Sequence, residues 1–184
     1  MTMPTFADGN LINAATLNVL PTGLNALSTL MTGAVAPRLY IPTVGASVNT
    51  THAIASATDT TVRFDTAGIN NDTMWVAGTT QLTVHTAGNY IAWAQVTFDA
   101  NVTGLRALHI LLNGTSVTTN VVAGASDNAL TVAGSVSQLM CRTPPMVLAA
   151  NATLFLSVFQ NSGSSVSVDS IVSGTFLCAT RIGK

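Results

Sequence analysis

The side chains that could carry out catalysis are few in this sequence, and they are widely spaced. It contains the histidines His52, His85 and His109, seven aspartates and no glutamate. No Gly-x-Ser-x-Gly motif presents a serine nucleophile, and no Cys-x-x-Cys or His-x-x-x-His spacing is available to hold zinc. The aspartates are too scattered to indicate a paired acid and base. We therefore predict that the protein is not an enzyme and that it uses no cofactor or metal.

The two cysteines, Cys141 and Cys178, could form a disulfide or remain as two separate thiols. Residues 1–6 have neither the basic nor the apolar stretch that is typical of a secretory signal. Disulfides persist mainly in secreted proteins. We therefore expect two buried thiols, and the disulfide stays an alternative.

Composition excludes two classes of partner. Of the 184 residues only 7% are charged, and the formal net charge is -1. A nucleic-acid-binding protein needs a basic surface, and a membrane helix needs about 20 consecutive apolar residues. The sequence has neither, so we predict no nucleic-acid or membrane partner. A surface with so few charges is poorly protected against association.

The most informative stretch is Thr79–Asp99, in which two apolar patterns follow each other. Leu82 and Val84 alternate with polar residues, which is typical of a strand with one buried face. The sequence Ala87-Gly88-Asn89 predicts a tight turn, so we expect a hairpin here. After the turn, apolar residues from Tyr90 to Phe98 occupy one face, and Ile91 and Trp93 occupy the other. A strand that is apolar on both faces is buried on both faces.

Two further stretches, Thr153–Gln160 and Gly174–Ile182, have the same two-faced pattern. Three such strands suggest one sheet, with the core on its inner side and a subunit interface on its outer side. The candidate residues for the core or the interface are Tyr90, Ile91, Trp93, Phe155, Phe159 and Phe176.

The rest of the chain after Pro37 contains short apolar runs separated by turn residues. Leu105–Leu112 is strongly apolar and is followed by Asn113-Gly114, a strong short hairpin signal, with Val117–Val122 as the expected returning strand. About ten strands at this spacing indicate an all-β sandwich or jelly roll.

The first 36 residues differ from this body. Five apolar residues recur at spacings of three and four and predict an amphipathic helix, interrupted at Pro21. We expect this stripe to associate with its own copies or to dock on a partner, and packing on the protein's own body is the alternative. The predicted organisation is an N-terminal arm, 1–36, and a β-rich head, 37–184. The stripe consists of Leu17, Leu20, Leu24, Leu27 and Met31.

Seven short motifs follow one another along the head. They are Arg63–Thr66, Leu82–Val84, Gly88–Tyr90, Leu111–Gly114, Leu148–Leu156, Val158–Gln160 and Ser173–Leu177. Their order and spacing resemble the globular heads of tumour-necrosis-factor-like and complement-first-component-like proteins. The resemblance covers roughly residues 38–182 and implies a ten-stranded jelly roll that assembles as a tight homotrimer.

Two details of the family bear on this chain. Where the family usually has Ala-Gly-Asp, this chain has Ala150-Asn151-Ala152, and Asn151 tolerates the left-handed conformation of the replaced Gly. Some relatives bind calcium, for which Asp65, Asp72 and Asp99 are the candidates here, but calcium needs several converging oxygens, and we expect none.

The segment Pro4–Asn18 has its own resemblance, to the start of many bacteriophage appendage proteins. In those proteins the N-terminus attaches to the virion and the β-rich domain points outward. This implies a structural protein of the virion surface, made in the bacterial host cytoplasm, with capsid or tail proteins as partners of the arm. It would be a capsid decoration or head fibre, or a tail-fibre or tail-tip knob. The alternative is a trimeric domain that binds a host-surface glycan or receptor during attachment.

Overall fold

The head is built entirely from antiparallel strands in the part of the chain that the computed structural model describes, residues 41–128, 136–168 and 174–184. The described residues contain no helix, and therefore none that is long and apolar enough to cross a membrane. The strands are β1 (Thr43–Ser47), β2 (His52–Ile54), β3 (Thr60–Thr61), β4 (Thr66–Asn70), β5 (Gln81–Thr83), β6 (Gly88–Phe98), β7 (Leu105–Leu112), β8 (Val121–Asn128), β9 (Ser137–Arg142), β10 (Met146–Leu148), β11 (Thr153–Gln160), β12 (Val166–Val168) and β13 (Phe176–Gly183).

These strands form two sheets. The first sheet has eight strands in the order β2-β12-β6-β13-β1-β4, with β9 and β10 also paired to β6. The second has five strands in the order β3-β11-β7-β8, with β5 also paired to β11. The all-β prediction is confirmed for the described residues. The predicted count of ten strands is not confirmed, because residues 41–128, 136–168 and 174–184 contain thirteen, five of which have only two or three residues. The predicted arm, its helix and its apolar stripe lie outside the described residues.

The core lies between the inner faces of the two sheets. In β6, alternate residues from Tyr90 to Phe98 are fully buried, and Leu154, Leu156 and Val158 of β11 face them from the second sheet. Burying one such apolar side chain contributes about 1.5–3 kcal/mol. The polar end of the Tyr90 side chain is also hydrogen-bonded: its hydroxyl donates to the carbonyl oxygen of Thr86 at 2.6 Å. The two faces that the sequence alternation separates are therefore present, and the structure shows which of them is the inner one.

The hairpin predicted within Thr79–Asp99 is wrong. β5 pairs with β11 in the second sheet, whereas β6 belongs to the first, so the intervening turn carries the chain from one sheet to the other. Val84 is held at this crossing by hydrogen bonds with Ala152 (2.8 Å) and Asn151 (2.7 Å). Gly88 is required for close approach, since a Cβ atom there would lie 2.5 Å from the carbonyl oxygen of Gly183.

The hairpin predicted after Leu105–Leu112 is present, since β7 and β8 pair antiparallel, but its loop is longer than a two-residue turn at Asn113-Gly114 because β8 begins only at Val121. Asn113 instead bonds to the second sheet: its backbone N–H donates to the Thr153 carbonyl (2.8 Å), and its side-chain oxygen accepts from the Thr153 N–H (2.9 Å). The longer loop is closed by Asn120, which donates to the Leu112 carbonyl at 2.9 Å. The left-handed conformation predicted for Asn151 is confirmed by its φ of 69°.

A carboxylate ties the β1–β2 loop to the start of β4. Asp65 Oδ2 accepts hydrogen bonds from the backbone N–H of Asn49 (3.3 Å) and Thr50 (3.2 Å) and from the Thr50 hydroxyl (2.8 Å). His52 Nε2 lies 3.3 Å from the same oxygen, and Arg63 lies 3.4 Å from Oδ1. Burial alone raises the pKa of Asp65, but the hydrogen bonds outweigh it and leave the pKa below its usual value of 3.8.

We expect Asp65→Asn to lower stability at pH 7 by roughly 1–3 kcal/mol, because it weakens hydrogen bonds to a charged acceptor. A carboxyl whose folded pKa is depressed contributes stability above its unfolded pKa and loses it as the pH falls through the folded value. The difference between wild type and variant should therefore shrink below about pH 3.8. Thermal unfolding at pH 7 and pH 3 measures this, and Asp59→Asn, at an exposed residue, is the control. Equal losses at both pH values would contradict the prediction.

Candidate interaction face of the first sheet

The structure places the three histidines on different elements. His52 contacts Asp65, the ring of His85 lies 3.2 Å from the carbonyl oxygen of Thr73, and His109 lies beside Ser157 across the β7–β11 pair. Within the described ranges, no group of three or more histidine, cysteine or acidic side chains is placed to hold a metal ion. These positions offer no catalytic arrangement to describe, so the outer surfaces of the sheets become the candidate functional regions.

The outer face of the first sheet is a continuous surface that crosses five strands. The pairing registers align one residue from each strand in a single row: Ile69 of β4, Gly45 of β1, Cys178 of β13, Trp93 of β6 and Arg142 of β9. Residues that pair directly across antiparallel strands point to the same face. Since the neighbours of Trp93 in β6, Ala92 and Ala94, point into the core, this row points away from it.

Large apolar side chains dominate this outer face. Ile91 and Trp93 of β6 are half-buried, whereas Ile69, Met140 and Ile182 are 55%, 58% and 52% exposed. Contiguous exposed apolar surface is typical of interaction sites, so this face is the candidate interaction region.

Two polar side chains on the same face already form hydrogen bonds within the chain. Gln95 and Thr97 of β6 are buried, and their side chains donate to the carbonyl oxygen of Gly174 at 3.3 Å and 2.9 Å. They can therefore enter an interface without leaving their polar groups unpaired.

A groove of about 640 Å³ opens on this face above β6, β9 and β13. Its walls are mainly apolar, and the guanidinium of Arg142 is the charged group among its lining residues. No carboxylate is among the lining residues that the structure describes. The groove is therefore shaped for an apolar side chain or ligand. The lining residues are Ile91, Trp93, Met140, Cys141, Arg142, Thr180 and Ile182.

The two cysteines lie on either side of β6 and on opposite faces of the sheet. Cys178 pairs with Trp93 on the outer face, whereas Cys141 pairs with Ala94, which faces the core. Two strand spacings separate them by roughly 9.5 Å, beyond the ~7 Å limit for a disulfide. Both thiols are free, and burial raises the pKa of each to about 11. The disulfide alternative is therefore excluded within one chain.

The expectation that all two-faced strands share one sheet is wrong. β6 and β13 belong to the first sheet, but β11 belongs to the second. Consequently Trp93 and Phe176 lie on the outer face of the first sheet, while Phe155 and Phe159 lie on the outer face of the second. Tyr90 lies in the core.

Sequence reasoning did not identify Ile69, Met140, Arg142 and Ile182 as part of the same face. Ile182 is the last residue of the two-faced stretch Gly174–Ile182, so its place on an apolar face could have been predicted from the sequence. Met140 and Arg142 alternate in β9, but only the pairing of β9 with β6 shows which face they occupy.

Comparison with solved structures identifies the fold. Mouse APRIL at pH 5.0 matches with a TM-score of 0.58 and 14% identity, covering 78% of this chain and 100% of that one. The Eiger TNF of S. frugiperda matches with a TM-score of 0.53 and 11% identity, covering 78% of this chain and 94% of that one. The globular domain of zebrafish complement 1qA matches with a TM-score of 0.51 and 14% identity, covering 78% and 98%.

Sequence comparisons add nothing to this result, since neither the protein-family models nor the curated proteins gave a match. At 11–14% identity the likeness concerns the fold alone. The head is thus a jelly roll of the tumour-necrosis-factor-like type, as the resemblance in the sequence implied.

Proposed function

We propose that this chain is the subunit of a homotrimeric structural protein of a bacteriophage particle, with the arm attached to the particle and the jelly-roll head displayed outward. The outer face of the first sheet carries the self-association part of the proposal. Trp93, Met140 and Ile182 are exposed or half-exposed there, and burying them in a neighbouring copy removes their apolar surface from water.

The size of this face supports the same assignment. Five strands at about 4.8 Å spacing span about 19 Å, and the eleven residues of β6 extend about 35 Å. Roughly 650 Å² of sheet is therefore available before side chains are counted. Stable interfaces bury about 800 Å² per partner, so the flat face is somewhat smaller than one such interface, and the projecting side chains add the rest of the accessible area.

Attachment to a phage particle is supported by the sequence of the arm. Pro4–Asn18 resembles the start of phage appendage proteins, and the stripe from Leu17 to Met31 needs a surface to cover it. Three arms brought together by their heads reach a high effective concentration, so weak individual contacts suffice.

The self-association is tested by sedimentation equilibrium of the full chain at micromolar concentration. We expect a species of three times the 18.9 kDa chain mass. A well-folded monomer at this concentration would contradict the proposal.

The attachment is tested by adding purified protein to phage particles that lack it. We expect the Leu20→Asp/Leu27→Asp double variant to remain associated through its heads but to lose at least tenfold in particle binding. Thr22→Asp/Thr29→Asp adds the same charges off the stripe and should bind normally. Undiminished binding of the stripe variant would show that the arm is not the anchor, and binding to host cells instead of particles would favour the glycan- or receptor-binding alternative.

A further inference from the structure

We propose that Ile69 of each copy packs into the groove of the next copy, so that the groove is completed only by a neighbouring subunit. This inference rests on the self-association proposed above and specifies its contact. It concerns the row from Ile69 to Arg142 on the outer face of the first sheet.

The two ends of this row carry complementary shapes. Ile69 lies on β4, the last strand at one side of the described sheet, and is 55% exposed. Its neighbour in the row, Gly45, has no side chain, so Ile69 projects without an adjacent side chain on β1. The groove lies at the other end, over β6, β9 and β13.

A chain cannot fill its own groove with Ile69. Three strand spacings, about 14 Å, separate β4 from β6, which is far longer than an isoleucine side chain. The groove walls formed by Ile91, Trp93 and Met140 are apolar, and no carboxylate among the lining residues pairs with Arg142. An aliphatic side chain from a second copy therefore matches the groove in both chemistry and position.

This contact joins two different patches of the same surface. Each copy provides one Ile69 and receives one; a twofold exchange would also satisfy this, but the trimer proposed above requires the head-to-tail, heterologous arrangement. Heterologous contacts form closed rings when the rotation between copies closes. A threefold ring uses every Ile69 and every groove once and leaves none exposed.

Engineered cysteines test the contact directly. The full chain carries Ile69→Cys and Met140→Cys together, in a Cys141→Ala/Cys178→Ala background that removes the native thiols. Diamide oxidises each pair of neighbouring thiols to a disulfide and takes up the two electrons and two protons. We expect covalent trimers on a non-reducing gel for the double variant and single chains for each variant alone.

The outcomes separate this inference from the proposed function. Covalent dimers without trimers would show a twofold exchange and overturn the ring. An oligomer by sedimentation that gives no disulfide would overturn the Ile69 contact but leave self-association intact, whereas a monomeric wild type would overturn both.

A second measurement does not depend on disulfide geometry. Ile69→Ala should raise the dissociation constant at least tenfold, while Val76→Ala, at a residue 61% exposed in the loop after β4, should leave it unchanged. Equal dissociation constants for the two variants would contradict the proposal.

Discussion

Replacing Trp93 with Glu should convert the proposed trimer to monomers. Trp93 is at the centre of the outer face, between Cys178 and Arg142 in the cross-strand row. A carboxylate introduced there lies opposite Arg142, but removing that pair from water in the proposed interface costs more than its attraction returns. Losing the apolar indole from the interface costs roughly 3–5 kcal/mol in addition. Because 1.4 kcal/mol corresponds to a factor of ten in affinity, the dissociation constant should rise more than a hundredfold. Sedimentation velocity across a concentration series measures this change.

Val121→Glu is the control, since Val121 is 41% exposed on β8 of the second sheet. It adds the same charge to a different apolar position and should leave the trimer unchanged. Far-ultraviolet circular dichroism should show that both variants keep their β structure. If Trp93→Glu stays trimeric at low micromolar concentration, the outer face of the first sheet is not the interface.

Replacing Phe98 with Ala should cost the largest share of folding stability, about 3–5 kcal/mol. Phe98 is fully buried at the end of β6, where it pairs with Val168 of β12 and Ser137 of β9. Its ring also lies 5.8 Å from the guanidinium carbon of Arg106, which is completely buried and whose pKa burial lowers. Losing the ring leaves a cavity and removes the cation–π contact. Domains of this kind have only about 5–15 kcal/mol of stability in total, so the loss is large.

Urea unfolding of Phe98→Ala and Phe176→Ala, both in the Trp93→Glu background, measures the effect on single heads. Phe176 is half-buried on the outer face, so its truncation should cost clearly less in a monomer. The slope of free energy against urea should stay constant if both variants unfold in one step. Equal losses for the two variants would mean that the outer face is as tightly packed as the core.

The sequence by itself determined which residues of each long strand share a face. Side chains in a strand alternate between two faces, so the apolar series from Tyr90 to Phe98 and from Leu154 to Val158 were separated from the opposite faces of their strands, and the structure showed that these series face the core. Local backbone chemistry was predictable for a similar reason. Asn151 adopts its left-handed conformation because that preference belongs to the residue and its immediate turn.

Only the tertiary structure decided which strands share a sheet. Thr79–Asp99 contains a turn signal between two strand patterns, which predicted a hairpin, yet its two strands, β5 and β6, belong to different sheets. A turn residue specifies the local backbone conformation but not the partner of the strand that follows. That partner depends on long-range hydrogen bonds, such as those between Val84 and the turn before β11.

The candidate face depended on the tertiary structure even more strongly. Ile69, Gly45, Cys178, Trp93 and Arg142 come from five separate parts of the sequence and form one row only through four strand pairings. A shift of one residue in any pairing would turn a strand's outward side chains toward the core. The sequence could therefore predict that some strands have two apolar faces, but only the registers assembled those faces into one surface.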